Sequence, residues 1–198
     1  MPVLMALSGF IDRLNTWIGR LSMWLILATT LISAGNAIVR KAFDSSSNAL
    51  LEIQWYLFAG VFMLGAGYAL LKNAHVRIDF VSSRLSARTR NWIDVVGFVL
   101  VLMPLCAMCI YLSWPFFMQA WTSGEMSSNA GGLIRWPVYL LIPVGFALLM
   151  LQGVSELIKR LAFLRGQGAD PLAHAMSEEE LLVQELAAAA EAKLAGSK

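Results

Sequence analysis

Two cysteines have the spacing found in many zinc and redox sites. Cys106 and Cys109 form a Cys-x-x-Cys pair, but a zinc ion needs four ligands supported by a second shell of hydrogen bonds. The residues around the pair are Met, Leu, Ile and Ala, which provide neither. We therefore interpret both cysteines as small buried hydrophobic residues, a common role of free cysteine.

A second candidate for chemistry is the stretch of residues 72–80. Its apolar residues alternate with His75, Arg77 and Asp79, a period of two that continues neither neighbouring helical pattern. We interpret the stretch as structural, with Arg77 paired to Asp79 or with His75 hydrogen-bonded to a neighbouring loop or helix end. The alternative is that His75 carries protons, because the pKa of histidine lies near neutrality.

The remaining residues do not assemble into a catalytic centre or a cofactor site. Haem ligation typically uses histidines inside helices, whereas His75 and His174 both lie outside the long apolar stretches. The acids Asp94 and Glu156 stand near the ends of such stretches rather than in their middles. The sequence therefore predicts no enzyme activity and no catalytic, cofactor-binding or metal-ligating residue, and it argues against an autonomous pump or channel.

The elements that must position these side chains are long apolar helices. Of 198 residues, 58% are hydrophobic and 14% are charged, whereas a soluble domain is about half apolar and a quarter charged. A bilayer core about 30 Å thick requires roughly 20 helical residues. Four apolar stretches reach that length, at about residues 21–39, 53–71, 93–114 and 136–158. The sequence thus predicts an all-α integral membrane protein with four transmembrane helices.

The two ends of the chain differ from this transmembrane domain of residues 21–165. In residues 1–20, apolar positions recur at three- and four-residue steps, which predicts an amphipathic helix at the membrane interface or against the other helices. The simplest alternative is an extension of the first span. Residues 166–198 begin with helix-breaking glycine and proline and become acidic. We expect a weakly ordered cytoplasmic tail there.

Lysines and arginines are unevenly distributed among the segments between the spans. Twelve lie in the N-terminal segment, in the loop between spans two and three, and in the tail, whereas the other two loops hold only Arg40, Lys41 and Arg135. Because basic residues concentrate in cytoplasmic loops, this distribution predicts that both termini are cytoplasmic. The net charge of +2 gives no indication of a nucleic-acid partner.

Residues near the helix ends and small residues inside the spans are candidates for structural or partner contacts. Gly65 stands four residues before Ala69, a spacing typical of close helix packing in membranes. Pro137 suits the first turn of the fourth helix. The full set of candidates is Glu52, Trp55, Gly65, His75, Arg77, Asp79, Arg135, Trp136 and Pro137.

These motifs resemble the small membrane subunit of tripartite ATP-independent periplasmic (TRAP) transporters, the DctQ-like family. The resemblance covers roughly residues 21–165 and all four spans. It is carried by the acidic and aromatic start of span two, by Asn-Ala-His-Val-Arg-Ile-Asp at residues 73–79, and by Arg-Trp-Pro-Val-Tyr at residues 135–139. The motif at residues 73–79 is its most specific element.

The resemblance implies a complex in the bacterial inner membrane. In that family a periplasmic binding protein captures an organic anion, a large membrane subunit moves it with a sodium gradient, and the small subunit supports the large one. The implied partners are therefore the large subunit, the binding protein and membrane lipids, with no cofactor. The residues themselves leave an alternative, a self-sufficient four-helix protein that acts as a small homo-oligomeric channel, an exporter or a membrane assembly factor.

Overall fold

The computed structural model describes residues 2–43, 47–74 and 85–172. Within these residues the regular elements are helices, apart from one bridge between Met126 and Ile134. Four helices are long and apolar enough to cross a membrane: α1 Pro2–Phe43, α2 Asn48–Leu71, α3 Ala87–Ser123 and α4 Trp136–Leu164. The prediction of an all-α protein with four membrane-spanning helices is therefore confirmed.

Helix α1 joins the amphipathic stretch and the first span without a break. It contains 42 residues, which at 1.5 Å per residue gives a length of about 63 Å. Phe10 and Trp17 on this helix are exposed, whereas Ser8 and Asn15 are buried. Small polar side chains of α1 therefore face the protein and several large apolar ones face outward, which is the arrangement expected for a helix in contact with lipid.

The helices pack as a group of three with a fourth attached. Helices α1, α2 and α4 contact one another, and α3 packs chiefly on α4. Large apolar side chains on α3 are consequently exposed along its length, among them Leu100, Leu105, Tyr111 and Phe116. The surface of α3 that faces away from α4 is thus suited to lipid or to another membrane helix.

Helix α3 contains a π-helical turn in the part that packs against α4. Pro104 has no N–H and cannot donate the hydrogen bond that an α-helix requires at that position. The preceding residues 98–102 widen into a π turn, in which the N–H of Met103 bonds to the carbonyl of Phe98. There Leu102 lies against Gly153 of α4, where an added Cβ would come within 2.7 Å of Leu102 Cδ2.

Specific residues define the ends of α3 and α4. Ser86 caps the start of α3, since its Oγ accepts a hydrogen bond of 3.2 Å from the N–H of Thr89. Gly124 follows α3 with φ of 63° and Gly166 follows α4 with φ of 73°, values that favour glycine because it has no Cβ. The chain therefore turns sharply at Gly124, where loop 124–135 begins.

Helix α4 approaches α2 closely at a glycine. A Cβ added to Gly145 would lie 2.7 Å from the carbonyl oxygen and 2.8 Å from the Cβ of Met63. Because one of these atoms belongs to the backbone of α2, it cannot move aside as a flexible side chain would. The absence of a side chain at position 145 therefore sets the distance between these two helices.

A second glycine contact joins all three helices of the group. A Cβ on Gly67 of α2 would overlap the side chain of Asn15 on α1 and would lie 3.3 Å from the carbonyl oxygen of Leu148 on α4. At Gly65, by contrast, a Cβ would meet only Ser22 Oγ, at an ordinary 3.9 Å. The tight approaches on α2 therefore include Met63, Gly67 and Tyr68, which lies against Gly19 of α1. Gly65 is not among them and stays a predicted partner contact.

We predict that Gly145→Ala destabilises the protein by about 1–3 kcal/mol, the usual range for overpacking a close contact. The measurement is the midpoint of thermal unfolding in detergent. Gly35→Ala is the matched control, because a Cβ at Gly35 would meet no atom within 4 Å. Equal midpoints for the two variants would contradict the proposed role of Gly145.

Candidate functional site

Two groups of polar side chains tie the helices together at opposite ends of the protein. The first, called here the loop cluster, consists of Glu52, Glu125, Ser127, Asn129 and Arg135. The second, called here the ionic cluster, consists of Asp12, Asp94, Glu156, Lys159 and Arg160. Both clusters connect residues from different parts of the chain, so both help to fix the arrangement of the helices.

Glu52 is the centre of the loop cluster. Its side chain is at the start of α2, and the residue is 3% exposed. One carboxylate oxygen accepts hydrogen bonds from the Ser127 hydroxyl and, at 2.8 Å, from Asn129 Nδ2. The other accepts a hydrogen bond of 2.7 Å from the backbone N–H of Leu133. A buried carboxylate requires such donors, and here all of them come from loop 124–135.

Further contacts hold the same loop against α2. Asn48 Nδ2 donates to the carbonyl of Ala130 at 2.9 Å, and the hydroxyl of Tyr56 donates to the carbonyl of Ile134 at 3.1 Å. The loop itself closes through the Met126–Ile134 bridge. Loop 124–135 is thus attached to the first turns of α2 and has a defined shape.

Arg135 lies at the start of α4 beside this loop. Its Nη1 is 3.1 Å from a carboxylate oxygen of Glu125 and 3.5 Å from the hydroxyl of Tyr139. The hydrogen bond to Tyr139 and the electrostatic interaction with the same side chain, with a smaller contribution from Glu125, raise the pKa of Arg135 above its ordinary value. The side chain is about one-third exposed, so the cation stays accessible to a partner.

Several aromatic residues lie at the same end of the protein as Arg135. The rings of Trp121 and Trp136 meet edge to face with centroids 4.7 Å apart, an arrangement that aromatic pairs favour. Pro137 occupies the first turn of α4. Trp55 is exposed and, with Arg135 among other residues, lines a surface hollow of about 240 Å³.

The structure therefore brings together five of the nine candidates, namely Glu52, Trp55, Arg135, Trp136 and Pro137. Gly65 lies further along α2, away from both clusters. The motif residues His75, Arg77 and Asp79 lie outside the described residues, and their interpretation stays a prediction.

Arg160 is the centre of the ionic cluster at the other end. It is 2% exposed, and its Nε and Nη2 lie 3.1 and 2.9 Å from a carboxylate oxygen of Asp94 on α3. Its Nη1 contacts the carboxylate of Glu156, one turn earlier on α4. The guanidinium carbon lies 4.8 Å from the centroid of the Phe98 ring, a cation–π distance. This one side chain thus joins α3 to α4.

Asp12 extends the ionic cluster to α1. Its carboxylate accepts hydrogen bonds from Gln152 Nε2 at 2.9 Å and from the Ser155 hydroxyl at 2.7 Å. Lys159 forms ion pairs with Asp12, at 3.1 Å, and with Glu156. Asn15 Nδ2 donates to Gln152 Oε1 at 2.9 Å. Helix α4 therefore has polar links to α1 as well as to α3.

The sequence analysis did not predict these polar links. Asp94 and Glu156 were treated there as separate acids near the ends of their spans, and neither Asp12 nor Asn15 was given a partner. The available signal was a polar stripe at helical spacing on α4, formed by Gln152, Ser155, Glu156 and Lys159. This stripe faces the corresponding stripe of α1.

Both clusters hold parts of the protein together through hydrogen bonds and ion pairs. Each carboxylate described above accepts hydrogen bonds or ion pairs from other residues of the protein. Among the residues that the structure describes, no group of three or more His, Cys, Asp or Glu is placed to hold a metal ion. The clusters are therefore suited to fixing helices and presenting a surface.

The amino-acid sequence of the chain matches that of a known protein family. The sequence profile of the family described as "Tripartite ATP-independent periplasmic transporters, DctQ component" matches residues 29–163. The chain belongs to the DctQ family. The predicted resemblance is confirmed, and the chain is a membrane component of a TRAP transporter.

A curated relative of this chain is a considerably longer protein. The DctQ chain is 27% identical over 147 residues to the sialic acid TRAP transporter permease protein SiaT of Haemophilus influenzae. The aligned region makes up 74% of the DctQ chain but 23% of SiaT. The chain therefore spans about a quarter of the length of that permease.

The two clusters lie differently with respect to the DctQ match. The loop cluster and the parts of the ionic cluster on α3 and α4 fall within residues 29–163, whereas Asp12 precedes that range. The first half of α1 is nevertheless joined to the matched region through Lys159 and Gln152. The DctQ fold in this chain therefore includes helical structure on the N-terminal side of the family match.

We predict that Arg160→Met destabilises the DctQ chain by about 3–5 kcal/mol, the usual cost of breaking a buried ion pair, because Asp94 and the buried Glu156 both lose the guanidinium and Glu156 keeps only Lys159. The measurement is the thermal unfolding midpoint of the purified protein in detergent. Arg165→Met removes the same charge from an exposed position and should leave the midpoint unchanged. A similar effect of the two substitutions would refute a special role of the buried guanidinium.

We predict that Glu52→Gln loosens loop 124–135, because an amide provides one acceptor oxygen where the carboxylate uses two. Backbone amide exchange in the loop should accelerate by about tenfold, as expected for the loss of a charge-assisted hydrogen bond. The measurement is hydrogen–deuterium exchange of loop peptides. Glu125→Gln serves as the control, since it leaves the three hydrogen bonds of Glu52 in place. Unchanged exchange in the Glu52 variant would be inconsistent with this role.

Proposed function

We propose that this DctQ chain is the scaffold subunit of a TRAP transporter. In this role it supports the large membrane subunit during sodium-coupled, binding-protein-dependent uptake of an organic acid or related solute. The observation that carries the proposal is the engagement of Asp12, Asp94, Glu156, Lys159 and Arg160 with one another across three helices.

A scaffold must resist deformation while its partner moves. Ion pairs that are buried beside lipid are strongly disfavoured when separated, so the ionic cluster opposes any sliding of α3 or α1 along α4. The close approach of Gly145 to Met63 has the same effect on α2, because packed backbones leave no room for a shift. The chain is thus suited to act as a stationary body in the bilayer.

The transport path itself, in this proposal, belongs to the large subunit. The relative SiaT is named as a permease, and 23% of its length aligns with this chain, so most of that permease corresponds to structure beyond a DctQ unit. The substrate in the name of that permease, sialic acid, is a carboxylic acid. This supports an organic acid as the substrate class of the present transporter.

We further propose that the loop cluster faces the periplasm and contacts the binding protein. The distribution of lysine and arginine supports this orientation, with both termini in the cytoplasm of a bacterium and the protein in its inner membrane. Arg135, Glu125 and the exposed Trp121 provide charge and aromatic surface at the same end. Arginine and tryptophan are enriched in protein–protein interfaces.

The test is affinity purification of the tagged chain from native membranes in mild detergent. We expect a large membrane subunit to co-purify in stoichiometric amount with the wild-type chain. Arg160→Gln should reduce its recovery per copy of tagged chain, because the scaffold is weakened, whereas the exposed Arg165→Gln should not. Mass spectrometry of the co-purifying proteins and size-exclusion chromatography provide the measurement.

One outcome would overturn the scaffold role. If the wild-type chain is recovered alone as a stable homo-oligomer, the self-sufficient four-helix protein becomes the better explanation. Equal recovery of the large subunit with the Arg160 and Arg165 variants, at equal amounts of folded chain, would show instead that the ionic cluster does not contribute to assembly.

A further inference from the structure

The outer face of α1 carries two arginines that the clusters do not use. Arg13 and Arg20 are both exposed, and neither has an ion-pair partner among the described residues. Their neighbour Asp12, by contrast, is paired with Lys159. Within the described part of the chain, these two cations on a membrane helix therefore have no counter-ion.

The two arginines border the same hollow. Positions 13, 16, 17 and 20 follow the steps of three and four residues that place side chains on one helix face. Together with Asp12, their side chains line a hollow of about 350 Å³. The Cα atoms of Arg13 and Arg20 are about 10 Å apart along the helix, yet both side chains reach this one space.

Contacts with α2 indicate how deep the hollow lies. Gly19 packs against the ring of Tyr68, and α2 ends at Leu71, about 4.5 Å further along its axis. Arg20, next to Gly19, is thus on the membrane side of the end of α2. A guanidinium at that depth and exposed to lipid is stable when it extends toward the interface and meets water or an anion.

Side chains around the hollow match the other parts of a phospholipid. Trp17 is 65% exposed between the two arginines, and tryptophan favours the level of the lipid headgroups. Trp24 is also exposed, about one turn beyond Arg20 toward the membrane interior, where an acyl chain would lie. The Asp12 carboxylate at the edge is already engaged by Ser155, Gln152 and Lys159, so its charge is compensated.

We propose that Arg13, Trp17 and Arg20 form a binding site for the phosphate of an anionic phospholipid. The guanidinium groups of Arg13 and Arg20 contact the phosphate oxygens, to which arginine binds through paired hydrogen bonds. Trp17 lies against the glycerol region. The bound lipid neutralises the arginines and holds the first half of α1 at a fixed depth in the membrane. This inference does not depend on the proposed scaffold role.

The test uses the full chain, purified and delipidated in detergent. Palmitoyl-oleoyl phosphatidylglycerol or the zwitterionic phosphatidylcholine with the same chains is titrated in, and native mass spectrometry counts the bound lipids. We expect the wild-type chain to prefer phosphatidylglycerol, and the double variant R13Q/R20Q to bind it about tenfold or more weakly, given the usual contribution of each basic residue near a lipid surface.

A matched control removes the same charge elsewhere. R88Q/R165Q changes two arginines that are also exposed but lie outside the hollow, and it should bind phosphatidylglycerol as the wild type does. Thermal unfolding without lipid should give equal midpoints for both double variants. If R13Q/R20Q does not fold, R13K/R20K replaces it, and this variant should keep the preference for phosphatidylglycerol because it keeps both charges.

Three results would overturn the proposal. The first is equal affinity of the wild-type chain for the two lipids. The second is unchanged affinity of R13Q/R20Q for phosphatidylglycerol, or loss of the preference in R13K/R20K. The third is complete displacement of phosphatidylglycerol by millimolar inorganic phosphate, which would identify a site for the free anion rather than for a lipid.

Discussion

The buried guanidinium of Arg160 is the constraint on which the arrangement of the helices depends. A cation that is 2% exposed requires counter-charges, and it obtains them from Asp94 on α3 and Glu156 on α4. Glu156 in turn shares Lys159 with Asp12 of α1. Because each link is satisfied only when the next helix is in place, one side chain sets the relative positions of three helices.

The loop cluster at the other end of the protein is also organised by one buried charge, here a negative one. Glu52 is a buried carboxylate, and its donors are the side chains and backbone of loop 124–135. Between the two ends, helix contacts rest on shape, as at Gly145 and Gly67. Polar interactions thus fix the ends and small residues fix the middle, a division that suits a DctQ subunit whose proposed task is to stay rigid.

Much of this fold could be predicted from the sequence, because span length and apolar composition are properties of each helix alone. The candidates Glu52, Arg135 and Trp136 could also be selected, since they stand beside span ends. The ionic cluster could not, because a hydropathy pattern does not say which helices are neighbours. The partners of Asp12 become visible only when α1 and α4 are known to pack together, and the same holds for the tight approach at Gly145 rather than Gly65.

The attachment of α3 chiefly to α4 has a consequence for biosynthesis. Membrane helices enter the bilayer individually and associate afterwards, and the chain is made from its N-terminus. Helices α1 and α2 can pair as soon as they are inserted, but α3 must reside in lipid until its main partner has been translated. Arg160 is near the end of α4. The ribosome has therefore translated nearly all of the four helices before α3 can form its ion pair with Arg160.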